Sequence, residues 1–154
     1  MSHNPFSESS IPSKMGLLTN LTQLWIAKIG LVGTIPPEIS QLTNLKDIVA
    51  YNNTLTGQIP NDIGDLENLS RLDISNNTLT GTIPSSVGLL LKLEDLLLSG
   101  NRITGSFPPS VGNLQELKQI LLSKNLLGGT LPAEFAFLVN LTEIGLDGNS
   151  FTGE

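Results

Sequence analysis

One leucine-bearing string returns along this chain every 24 residues. A representative copy is Leu69-Ser-Arg-Leu-Asp-Ile-Ser-Asn-Asn-Thr-Leu-Thr-Gly-Thr-Ile-Pro84. Numbered from its first leucine, position one is held by Leu21, Leu45, Leu69, Leu93, Leu117 and Leu141, and position thirteen by Gly33, Gly57, Gly81, Gly105, Gly129 and Gly153. An apolar residue and a proline follow at Ile35-Pro36, Ile59-Pro60, Ile83-Pro84, Phe107-Pro108 and Leu131-Pro132. A period of about 20 to 50 residues specifies stacked coils, because no single unit can bury its own apolar face. Most of the sequence is therefore committed to packing each coil on the next, and only the positions outside the pattern are free for function.

Positions four and six are apolar and alternate with polar neighbours, as a strand with one buried face requires. The period leaves room for about five residues of strand per coil. The proline lies outside that strand, where its missing N–H does not interrupt a ladder, and glycine suits the bend before it. Position nine is Asn53, Asn77, Asn101, Asn125 and Asn149. A buried amide there can satisfy backbone groups of its own and neighbouring coils. The first repeat has Ile29 in that slot, which removes one rung and predicts looser packing of its coil.

The motif Leu-x-x-Leu-x-Ile-x-x-Asn-x-Leu-x-Gly-x-Ile-Pro resembles the leucine-rich repeat family, in its plant-type subclass. That resemblance implies a right-handed superhelical solenoid with a parallel concave sheet, a short second sheet near the Gly-x-Ile stretch, and 3-10 turns on the convex side. The expected organisation is an irregular segment with a half repeat over 1–20, five full repeats over 21–140 and a partial sixth over 141–154. The resemblance extends to receptor-kinase ectodomains and to secreted inhibitors of cell-wall-degrading enzymes, neither of which would place a catalyst in this segment.

The formal charge of -6 argues against nucleic acid, whose binders carry a basic stripe. No run approaches the roughly 20 apolar residues that span a bilayer, so direct membrane insertion is not expected; Leu89-Leu-Leu91 and Leu96-Leu-Leu98 are short and are assigned to the repeat. Cysteine is absent and His3 is the only histidine, so thiol and zinc chemistry have no ligand set and no cofactor is expected. No phosphate-cradling loop or nucleophile elbow occurs. The family's extracellular members carry cysteine-paired caps, which this sequence lacks. The expectation is a segment of a longer extracellular or cell-surface protein, with a cytoplasmic protein as the alternative. Asn20, Asn52, Asn68, Asn76 and Asn140 begin Asn-x-Ser/Thr sequons and are glycan candidates in that setting.

Positions three, five, seven and eight are expected on the concave surface, where neighbouring strands about 4.8 Å apart turn each position into a column. Three clusters result: an aromatic corner of Trp25, Val49 and Tyr51; a charged centre of Asp47, Arg71, Asp73 and Asp95, with Gln119 further along the same column as Asp47; and an exposed apolar pair, Leu97 and Leu121. Trp is a typical binding anchor and adjacent exposed leucines mark an interaction surface, so the face is expected to take a protein or peptide. Two other readings stand beside it: a scaffold without a ligand, and an ice-binding surface made by a threonine array at positions twelve and fourteen, including Thr56, Thr80, Thr82 and Thr104. The last repeat leaves Leu141, Ile144, Leu146 and Phe151 uncovered, which predicts fraying or end-to-end association there.

Overall fold

The computed structural model describes residues 9–153; His3, the rest of the polar stretch up to Glu8, and Glu154 lie outside the described residues. In chain order the strands are β1 (Gln23–Trp25), β2 (Asp47–Val49), β3 (Arg71–Asp73), β4 (Asp95–Leu97), β5 (Thr104–Gly105), β6 (Gln119–Leu121), β7 (Leu126–Gly129), β8 (Glu143–Gly145) and β9 (Ser150–Phe151). The larger sheet runs β1-β2-β3-β4-β6-β8. All of its pairs are parallel, and Leu24, Ile48, Leu72, Leu96, Ile120 and Ile144 are direct partners in register. The repeat index of the sequence is thus the register of the sheet. The regular strands are three residues long rather than five, although ladder bonds continue past them: Ile26 N–H donates to the Val49 carbonyl at 2.8 Å and Lys28 N–H to that of Tyr51 at 3.0 Å.

The second sheet is the flank formed by β5, β7 and β9, extended toward the N-terminus by bridges Ser10–Val32 and Thr34–Thr56. Between the sheets lies one apolar column per repeat position. Leu69, Leu72, Ile74 and Leu79 of the third repeat are at most 1% exposed. Ala50 replaces a larger residue at position six, and the void beside it, about 10 Å³, is lined by apolar side chains that offer a water no hydrogen-bond partner.

Each coil closes through a short 3-10 turn that begins after proline: Ser13–Leu17, Pro37–Gln41, Asn61–Asp65, Ser85–Leu89, Pro109–Asn113 and Ala133–Phe137. The proline is extended, donates nothing, and accepts from the N–H three residues on, as in Val87 N–H to Pro84 at 3.1 Å. A glycine column runs through these turns at Gly16, Gly64, Gly88 and Gly112, with ordinary φ. It was not legible as a requirement of the bend, because its cause lies in the next coil. A Cβ on Gly88 would sit 2.5 Å from Ser110 Cβ. Glycine at position thirteen answers a different need, a positive φ of 76° to 80° from Gly33 through Gly129.

The asparagine column is a spine of inter-coil bonds. Asn101 Oδ1 accepts the Leu79 N–H at 3.0 Å, and its Nδ2 donates to the carbonyls of Ile74 and Leu98. Asn53, Asn77, Asn125 and Asn149 repeat the pattern. Ile29 has no amide to offer and is 58% exposed, but its own N–H is held by Asn53 at 3.2 Å. The Ile26 carbonyl of the same coil still accepts from Asn53 Nδ2 at 2.9 Å, so the link to the following coil is intact.

Toward the C-terminal end the core thins. Leu141, Leu146 and Phe151 are half-buried and Ile144 is 46% exposed. Amide exchange in 141–151 is expected to be at least about 100-fold faster than in 69–79, because local opening there exposes less new apolar surface. Equal protection of the two stretches in a verified monomer would contradict this.

Candidate functional site

The concave sheet places the anticipated residues in columns, but not all in the anticipated state. Trp25 is 69% exposed on β1, beside the half-buried Val49 and one coil from the half-buried Tyr51. Lys28 joins this corner, its Nζ 5.3 Å from the Tyr51 ring centroid, within the range of a cation–π contact.

Position three is a ladder of donors and acceptors rather than a row of free groups. Gln23 Nε2 donates to Asp47 at 2.7 Å, Arg71 to Asp95 at 2.8 Å, and Gln119 Nε2 to Glu143 at 2.9 Å. Arg71 turns from Asp47 toward Asp95 and also reaches Asp73 at 3.3 Å. Asp73 is 5% exposed and accepts from the Ser75 hydroxyl at 2.8 Å. The charged centre is therefore a closed cluster whose acceptors are largely occupied from within the chain. One position before this column, Lys118 donates to Glu94 at 2.6 Å, and that hydrogen bond with the carboxylate's charge raises the Lys118 pKa.

The expected exposed pair Leu97 and Leu121 does not exist as such. Leu97 is 7% exposed and Leu121 half-buried. Leu97 lies in register between Asp73 and Leu121, so lateral neighbours cover it, an effect that strand alternation cannot report. Position eight also departs from expectation. Lys28, Asn52, Asn76, Gly100, Lys124 and Gly148 all have positive φ, between 50° and 69°. Asn and Gly tolerate that conformation best, so the residue type there answers the backbone first. Lys124→Gly is expected to stabilise the fold by about 0.5 kcal/mol, the relief of strain exceeding the added chain entropy, while Lys124→Val destabilises it; thermal midpoints of the two variants decide.

The sequons divide by environment. Asn68 and Asn140 donate Nδ2 to the carbonyls of Thr43 and Gln115 at 2.9 and 2.8 Å, linking coils. Asn140 is exposed despite that bond, as are Asn20, Asn52 and Asn76. On the flank, Thr56, Thr80 and Thr104 are exposed, yet each hydroxyl donates to a glycine carbonyl of the preceding coil, at 3.2, 3.2 and 3.1 Å. Among the described residues no group of three His, Cys, Asp or Glu side chains could hold a metal, and no helix is long and apolar enough to cross a membrane.

Two leucine-rich repeat models match the sequence, over residues 68–90 and 91–151. The ectodomain of the receptor kinase SOBIR1 from Arabidopsis thaliana is 32% identical, with a TM-score of 0.80, over 86% of this chain and 73% of that one. This chain belongs to the leucine-rich repeat family. It is also similar to the Arabidopsis receptor kinase HAESA, solved in complex with the peptide hormone IDA and the co-receptor SERK1: 36% identity, TM-score 0.91, 95% of this chain and 24% of that one. A plant ice-binding protein is 32% identical, with a TM-score of 0.85, over 97% of this chain and 56% of that one. The chain spans between 17% and 26% of other receptors it matches. No curated protein matches it. The leucine-rich repeat architecture expected from the motif, with its parallel sheet and 3-10 turns, is the architecture observed.

Proposed function

We propose that this leucine-rich repeat segment is a non-catalytic recognition module that takes a protein or peptide ligand on its concave face, within a longer extracellular or cell-surface protein. The observation that carries the reading is Trp25, 69% exposed beside Val49 and Tyr51. The repeat asks for no indole at position five, where the other coils carry Val, Asp, Leu, Leu and Gly. Large rigid aromatics on a surface supply contact area at low entropic cost. The likeness to a receptor solved with a peptide hormone supports the same class of ligand. Arg71, Asp73 and Asp95 set the shape of the centre, and Asp47, Gln119 and Leu121 flank it; Leu97 fills the face between Asp73 and Leu121.

Selection of a displayed random 12-residue peptide library on the native chain tests this. Enriched peptides are expected to lose about tenfold or more in affinity on Trp25→Ala/Tyr51→Ala, since anchor truncation costs about 2 kcal/mol. Unchanged affinity would remove the concave face from the reading.

A second reading, ice binding, is favoured by the flat exposed threonine rows and the likeness over 97% of the chain to an ice-binding protein. Against it, the position-twelve hydroxyls are engaged with backbone, and Val32, Gln58 and Gly128 interrupt the rows. Thermal hysteresis in the native chain that Thr80→Tyr/Thr82→Tyr abolishes would establish it in place of peptide recognition.

A further inference from the structure

Leu89, Leu90 and Leu91 look alike in sequence, and the period assigns all three to the repeat. The structure separates them: Leu90 is fully buried, while Leu89 and Leu91 are each 59% exposed on a lateral face at the end of the 3-10 turn. Two coils on, Phe137 and Val139 occupy the same two positions and are 58% and 77% exposed. The repeat does not require apolar residues there, since intervening and preceding coils use Asn113 and Gln115, Asp65 and Glu67, and Gln41 and Thr43.

The intervening coil shapes the surface. Gln115 Nε2 donates to the Gly112 carbonyl at 2.9 Å and Asn113 Nδ2 to that of Gly88 at 3.4 Å. Both amides are drawn onto the backbone instead of standing out from it. Two apolar ridges thus flank a low polar strip, two coil spacings or about 10 Å apart, close to the diameter of an α-helix with its side chains, about 10–12 Å. The rim is acidic, with exposed Asp65 and Glu67 on one side and exposed Glu116 in the strip. Lys92 is engaged with Asn68 at 2.7 Å.

We infer that this lateral face docks an amphipathic helix of a partner protein, one whose apolar stripe is bordered by Lys or Arg. Acidic rims complement such a helix and steer its approach. The same charges disfavour an anionic membrane and a second copy of this acidic chain. The inference is independent of the concave-face reading, because none of its residues lies on the concave sheet.

The probe is a synthetic 18-residue lysine–leucine amphipathic helix, titrated into isotope-labelled protein and followed through backbone amide shifts, with a glutamate–leucine helix of the same pattern as control. The expected result is shifts confined to residues near 88–92, 113–116 and 136–140. Affinity should fall tenfold or more on Leu89→Ser/Leu91→Ser/Phe137→Ser, fall also on Asp65→Lys/Glu67→Lys, and stay unchanged on Trp25→Ala. All these side chains are exposed, so the variants should retain the native spectrum elsewhere. Equal binding of the glutamate helix, shifts mapping to the concave sheet, indifference to the triple serine variant, or dimerisation of the free chain through this face in sedimentation would each overturn the inference.

Discussion

Asn101→Ala is expected to lower stability by about 2–3 kcal/mol, a sizeable part of what a domain of this size possesses. Asn101 is 7% exposed, and its amide serves the Leu79 N–H and the carbonyls of Ile74 and Leu98. Alanine would leave the Leu79 N–H, in a residue 0% exposed, without a partner, while the carbonyls of Ile74 and Leu98 would each lose one of two bonds and keep those from Asn77 and Asn125 Nδ2. The orphaned buried donor alone costs about 1–3 kcal/mol, and the weakened carbonyls add to it. The groups belong to two adjacent coils, so the change weakens the interface between coils and not merely one turn. Asn149→Ala removes the same set of bonds where the side chain is half-buried, and water can replace them; its cost should be about 1 kcal/mol. Urea midpoints of the two variants check the ranking. A loss under about 1 kcal/mol for Asn101→Ala would show that the spine is not what couples the coils.

Gly88→Ala should cost about 2–3 kcal/mol, through collision and not through backbone strain. The added methyl would lie 2.5 Å from Ser110 Cβ and 2.8 Å from the Ser110 carbonyl carbon, and backbone cannot swing aside as a flexible side chain can. Gly30→Ala is the matched contrast. Its Cβ meets nothing within 4 Å, but φ is +75°, so only conformational strain of about 1 kcal/mol applies. Ser40 shows that the turn position admits a side chain where the neighbouring coil allows it. Calorimetry showing the two glycine variants equally destabilised would refute the close-stacking account.

The position-one leucines and the asparagines were legible because period reports burial when every coil has the same neighbours. The charged centre was legible only in membership. Sequence columns bring Arg71, Asp73 and Asp95 together, but the choice of Asp95 over Asp47 as the main partner depends on side-chain direction within the sheet. The burial of Leu97 is not legible, because strand alternation tells which face a residue points to and not how deeply its lateral neighbours cover it. Position eight carries a restriction that the columns do not report, a left-handed bend.

By itself the sequence determined the coil, its register and the contents of its core, since a 24-residue period leaves one way to stack identical apolar positions. Tertiary structure alone decided which residues outside that pattern are open to a partner. Trp25 stands free, Asp73 and Leu97 are covered, and of three consecutive leucines only Leu89 and Leu91 face solvent. Exposure is a property of what lies across and beside a side chain, and those neighbours come from coils one and two repeats away.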